Sequence, residues 1–249
     1  MIRTSALKTR KGALIVFITA MVLLAGGVLL LWAGDSSPAA NIEVRGNRYL
    51  ASEEVILLSG LESGMRQGGK VLRKARRALL KHPVIRDAEI ARAGSGLVIT
   101  VFERACVALV REDAEGRLRE VDREARILSR DEIRCSGVPI ISGRFKRTDD
   151  CSGARDGCFQ SKRLRGLIDG YLRLKKMYPT LAARISELRF RHDGALDIHM
   201  TGTRVRMVTS GRLAGSDINR IYAALAYLEG EKRYRGVMDL RERDGLFFP

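Results

Sequence analysis

At 249 residues, 45% apolar and 30% charged, the chain has the composition of a folded protein, which excludes bulk disorder. Lys and Arg number 45 against 29 Asp and Glu, a formal charge of +16, so its surroundings should include something anionic. Nucleic acid, acidic lipid head groups, acidic wall polymers and acidic proteins all qualify on charge alone.

Four basic residues (Arg3, Lys8, Arg10, Lys11) precede an uncharged run from Ala13 to Ala33, in which twelve of 21 residues are Leu, Ile, Val or Phe. At about 1.5 Å per residue, a helix of that length spans a hydrocarbon core of about 30 Å. Its apolar residues favour insertion by roughly 4–7 kcal/mol as an upper value. Trp32 suits the far interface, and the basic tail places the N-terminus in the cytoplasm, which makes nucleic acid the weaker partner class. A cleaved signal peptide is the alternative, but its apolar core is normally shorter. The expected order is thus a tail (1–12), a membrane span (13–33) and a small-residue linker (34–41).

Ile42–Arg45 alternates like a strand and runs into the turn pair Gly46-Asn47. Ser52 caps a short helix closed by Gly60. A second helix, from about Gly69 to Lys81, carries Val71, Leu72, Ala75, Ala78 and Leu79 on one side. Lys70, Arg73, Lys74, Arg76, Arg77 and Lys81 fall on the other. Strands follow at 84–92 and 97–103, giving a small βααββ domain over 42–104.

From 105 to 249 strands dominate, at 107–110, 118–121 and 138–142. A loop rich in Asp, Gly and Cys runs to Ser161. Leu164, Leu167, Ile168, Tyr171 and Leu174 mark a helix, and a hairpin turns at His192-Asp193-Gly194. Val205–Val208 is a strand, a helix from about Asp217 carries Ile218, Ile221, Leu225 and Leu228, and Val237–Arg241 is a final strand. The fold class is α+β, with a mostly antiparallel second domain and flanking helices.

No catalytic constellation assembles. His82, His192 and His199 are scattered and read as solvated surface, and no serine carries a nucleophile-elbow pattern. Gly68-Gly69-Lys70 lacks the spacing of a phosphate loop. No cofactor, metal or small-molecule substrate is implied. The four cysteines do not form paired Cys-x-x-Cys knuckles, so in an oxidising compartment two disulfides are expected, with three connectivities open. Cys151 and Cys158 close a short loop, which by elimination leaves Cys106 with Cys135. The basic helix face (Lys70, Arg73, Lys74, Arg77, Lys81) reads either as a head-group contact or as a solvated surface.

Ile42-Glu43-Val44-Arg45-Gly46-Asn47 with Ser52-Glu53-Glu54-Val55, then Val101-Phe102-Glu103-Arg104, Val121-Asp122-Arg123-Glu124 and Met238-Asp239-Leu240-Arg241 occur in this order. The ordered set resembles the bacterial cell-division family FtsQ/DivIB. The chain departs from the family pattern at Cys106, at Val237 and Glu242, and in the cysteine-bearing loop. The resemblance implies a POTRA domain over 42–104 and a family-type β domain over 105–249. It implies a non-catalytic bitopic scaffold in the inner membrane at the division septum, bulk outside the cytoplasm. The implied partners are FtsB- and FtsL-like membrane proteins, with FtsK-, FtsW- and FtsI-like proteins as further candidates. The family holds FtsB and FtsL at its C-terminal sheet edge, which here implies a backbone ladder from Val237, Met238, Asp239, Leu240 and Arg241. Arg241 would then be available to an acidic partner residue. A POTRA-bearing secretion or envelope-assembly factor and a membrane-anchored wall enzyme are the alternatives.

Overall fold

A computed structural model describes residues 40–249 except 67, 113–115, 130–131, 150, 152–156, 233–234 and 243–244. The expected tail, membrane span and nearly all of the linker lie outside the described residues. Among the described residues no helix is long and apolar enough to cross a membrane.

The chain divides into two compact units. The first holds the described residues up to Arg45 together with Ser52–Ala78 and Glu89–Thr100. The second holds Gly46–Ala51, Leu79–Ala88 and Val101–Pro249. The elements between 42 and 103 run β1 (Ile42–Arg45), α1 (Ser52–Ser59), α2 (Gly69–Leu79), β2 (Ile85–Ala93) and β3 (Gly96–Glu103). This is the βααββ order expected from the sequence, with the strands arranged β1-β3-β2.

In the first unit β1 pairs in parallel with β3, Ile42 opposite Leu97 and Val44 opposite Ile99. Val55, Leu61, Ala75, Leu97 and Ile99 are buried there. The cationic side chains of α2 are exposed and its apolar ones half-buried to buried, so the 3.6-residue period alone sorted them.

The second unit is built on a sheet of eight strands, adding β4 (Ala108–Arg111), β5 (Leu118–Val121), β6 (Ile140–Ser142), β9 (Ile185–Phe190), β10 (Leu196–Met200), β11 (Arg204–Thr209), β12 (Arg235–Asp239) and β13 (Leu246–Phe248). Their order is β13-β12-β11-β10-β9-β6-β4-β5. A separate ribbon of β7 (Arg147–Thr148) and β8 (Cys158–Phe159) lies in the cysteine-bearing segment. The helices are α3 (Lys162–Met177), α4 (Pro179–Arg184) and α5 (Gly215–Gly230). Their apolar stripes join the sheet residues Leu188, Leu196, Ile198, Val205 and Met207 in one core.

The expected mostly antiparallel character holds by a small majority, and the eight-stranded sheet is mixed. Four pairings are antiparallel, but β4–β6, β6–β9 and β11–β12 are parallel. Parallel neighbours need a long crossover, and α3 with α4 supplies one between β6 and β9 while α5 supplies another between β11 and β12.

Three carboxylates in this unit tie its first segments together. Glu103 accepts the backbone N–H groups of Arg48, Tyr49 and Leu50 at 2.8, 2.7 and 3.0 Å. Glu120, fully buried, accepts the N–H groups of Arg134 and Cys135, both at 2.6 Å, and the Tyr49 hydroxyl. Burial, then the Glu120 carboxylate, push that hydroxyl well above its ordinary pKa. Asp122 pairs with Arg104 at 3.0 Å and accepts the N–H groups of Glu124 and Arg126. Gly46, at φ +80°, lets the chain turn beside the Val101 carbonyl, where a Cβ would collide.

Hydrogen bonds to a charged acceptor contribute about 1.5–3 kcal/mol each when donors would otherwise be orphaned. Glu103→Ala should therefore lower stability by about 3 kcal/mol or more, read as a shift in the urea midpoint with the slope unchanged.

Candidate partner-binding edge

A sheet can accept a strand from another chain only where it ends. The order of this sheet leaves two terminal strands, β5 and β13. β5 is covered by the chain that follows it. Leu128 donates to the Glu120 carbonyl at 2.9 Å, Asp122 to the Arg126 carbonyl at 3.1 Å, and Val121 bridges Ile127.

The expectation that Val237–Arg241 is itself the edge is corrected. β12 lies inside the sheet, parallel to β11 on one side and antiparallel to β13 on the other. Leu240 is buried and donates its N–H to the Val208 carbonyl at 2.8 Å. The outer strand is β13, registered with Val237 opposite Phe248, Met238 opposite Phe247 and Asp239 opposite Leu246. Strand alternation turns Phe247 inward with Met238, against the core. Leu246 and Phe248 face the other way and are 53% and 54% exposed. Gly236, at φ +121°, admits this arrangement, because a Cβ there would meet the Phe248 carbonyl and the Phe247 ring.

On the inner side a cavity of about 510 Å³ opens between α5 and the β12–β13 pair. Ala223, Tyr227, Met238, Leu240 and Phe247 supply its apolar lining, with Arg220 and Glu242 among its polar members. Arg220 donates to the Leu240 carbonyl at 3.0 Å and so holds the end of β12 against α5. Tyr222 and Tyr227 on α5 are both about half-exposed.

Arg241, expected to be available to a partner, is already engaged. It pairs with Asp239 at 2.5 Å and with Asp193 at 3.6 Å. Its hydrogen bonds are the main reason the Asp239 carboxyl titrates below its ordinary value, 3.8, against a smaller upward push from burial.

The remaining residues singled out by sequence fall elsewhere. Lys70, Arg73, Lys74, Arg77 and Lys81 are exposed. Disulfides join Cys106 to Cys135 and Cys151 to Cys158, with Cα–Cα distances of 6.3 and 6.1 Å. Among the described residues Cys106, Glu120 and Cys135 form a group whose donor atoms are close enough for a metal ion. Its sulfurs are spent in the disulfide and Glu120 is occupied by three donors, so it does not fit one. His192 is exposed, but His82 and His199 are half-buried, not solvated as expected. β13 went unread because three residues between Gly245 and Pro249 are too short to show a period; the Phe247-Phe248 pair was the available signal.

Gly236→Ala should expel β13 and leave the sheet interior intact. In hydrogen exchange, Arg235–Asp239 should lose protection while Leu196–Met200 keeps its own. A carboxyl whose pKa falls on folding adds stability above its ordinary value and loses it as the pH drops through the folded value. The Asp239–Arg241 pair should therefore support the end of β12 above pH 3.8 and fade below it. Arg241→Ala should raise the Asp239 titration, followed by carboxyl NMR, toward 3.8.

Residues 37–104 match the family described as "POTRA domain, FtsQ-type". No curated protein matches the chain. Among solved structures it is similar to the major extracytoplasmic domain of the trans isomer of the cell division protein DivIB from Geobacillus stearothermophilus. That match has 12% identity and a TM-score of 0.34, and covers 52% of this chain and 97% of that one. The family match covers residues 37–104, and over that segment the resemblance to the FtsQ/DivIB cell-division family holds.

Proposed function

We propose that the protein is a bitopic scaffold of the bacterial division machinery that holds other membrane proteins by strand addition. An FtsQ-type POTRA domain gives the cell-division context. The uncharged run from Ala13 to Ala33 behind a basic tail supports an inner-membrane anchor with the bulk outside the cytoplasm. The POTRA segment takes part in recruitment to the septum. The residues from 105 onward bind FtsB- and FtsL-like partners and link septal wall synthesis to constriction, without turnover.

The observation that carries the partner reading is the terminal position of β13 in a sheet whose opposite edge is covered. A partner strand laid along β13 would extend the backbone ladder. Its outward side chains would meet Leu246 and Phe248, and a neighbouring segment could fill the cavity beside Tyr227 and Phe247. The residues from Val237 to Arg241 would then act from behind, as the strand that positions β13.

Depletion in the native host should give filamentous cells. Pull-down on the tagged full chain should recover two short coiled-coil membrane proteins. Leu246→Lys with Phe248→Lys places charge on two exposed positions, so stability should hold while recovery falls about tenfold or more. Normal division, or recovery untouched by the double substitution in a folded protein, sinks this reading.

A further inference from the structure

A second site stands apart from the β13 edge. β4, β6 and β9 are mutually parallel, so their carboxyl ends meet at one side of the sheet. Register sets Arg111, Ser142 and Arg189 in one row across these ends. The two arginines flank the serine, with their backbones about 9–10 Å apart from two strand spacings. Arg144 follows β6 and Arg191 follows β9. α3, which begins the crossover from β6 to β9, starts at the same place with Ser161 as its N-cap.

Together these segments line a cleft of about 730 Å³. Its described lining holds five arginines (Arg111, Arg144, Arg163, Arg189, Arg191) and no carboxylate. Glu187 pairs with Arg189, and Asp193 and Asp197 pair with Arg191. Glu187 also accepts from the Ser142 hydroxyl at 2.6 Å and lies within electrostatic reach of Arg111, whereas Arg144 and Arg163 have no ion pair among the described residues. Arg163 donates to the Gly194 carbonyl at 2.6 Å, and its guanidinium sits 4.1 Å above the Phe190 ring. It is thereby fixed in place without a carboxylate partner among the described residues.

The start of α3 adds to the imbalance. A helix start favours acidic residues, yet the first turn of this 16-residue helix has none and carries Lys162, Arg163 and Arg165 instead. Like charges gathered in a cleft repel one another, and a bound anion relieves that repulsion. Guanidinium forks suit phosphate oxygens, and the carboxyl ends of parallel strands beside a helix start are a common place for phosphates.

We propose that the cleft at the carboxyl ends of β4, β6 and β9 binds a phosphate-bearing anion through Arg111, Arg144, Arg163, Arg189 and Arg191. The phosphate belongs either to a soluble molecule or to an anionic lipid head group.

The test is calorimetric titration of the full-length chain with pyrophosphate and with glycerophosphoglycerol, the head-group diester of an anionic lipid. Arg144→Gln removes an exposed side chain that holds nothing else among the described residues, and thermal unfolding will show that this variant is folded. It should weaken binding about tenfold, the usual scale of one charge-assisted contact. Arg111→Gln should do the same. Arg73→Gln with Lys74→Gln, on the exposed face of α2, should leave binding unchanged. Preference for pyrophosphate would assign a soluble phosphate, and preference for the diester a head group; both support the site. Absence of binding to either probe overturns it, as does an equal loss in the α2 control. Polyglutamate binding as tight as either phosphate, with the same arginine dependence, overturns it in favour of an acidic peptide.

Discussion

Removing a carboxylate from water is costly unless donors meet its oxygens, and the larger unit solves that problem three times between Glu103 and Asp122. Glu103 gathers the three amides that follow the Gly46-Asn47 turn. Glu120 takes two amides from the far end of a long loop and the Tyr49 hydroxyl. Asp122 holds Arg104 and shapes the turn after β5. The motif residues behind the family resemblance, the Glu-Arg pair and the Val-Asp-Arg-Glu run, are therefore structural. They fix where the chain leaves β3 and where β5 lies, and they wrap loops over β5.

That wrapping has a consequence at the other end of the sheet. With β5 covered by residues 126–128, β13 is the terminal strand that the described residues leave uncovered. The two crossovers matter in the same way. The one through α5 makes β12 parallel to β11 and leaves α5 beside the C-terminal hairpin, where Tyr227 lines the apolar cavity. The one through α3 and α4 makes β6 and β9 parallel and brings arginines to their shared ends. A purely antiparallel meander would have created neither environment.

The basic surplus is also resolved by the fold. On α2 the cations are exposed to water, where screening weakens their repulsion. Around the start of α3 the same residue type is gathered from four separate segments into a concave space. Net charge says that anions are attracted, and only the topology says where the attraction is concentrated.

Local pattern was enough for much of this protein. The stripe Leu164, Leu167, Ile168, Tyr171, Leu174 and the stripe Ile218, Ile221, Leu225, Leu228 are buried as their spacing requires. Ser161 caps α3, and the βααββ order was legible because each element there is long enough to show its period. Strand direction was not legible, since hydrophobic alternation looks the same in parallel and antiparallel pairs. The edge was missed for a related reason: whether Val237–Asp239 is terminal depends on Leu246–Phe248 folding back, which is a long-range pairing by a segment too short to have a pattern. Arg241 looked available because one of its partners, Asp193, comes within reach only in the folded sheet. The sequence by itself determined most of the elements, their buried faces and the resemblance over the POTRA segment, because those depend on neighbours along the chain. Tertiary structure alone decided the mixed topology, the open edge and the arginine cleft, because those depend on residues that meet across it.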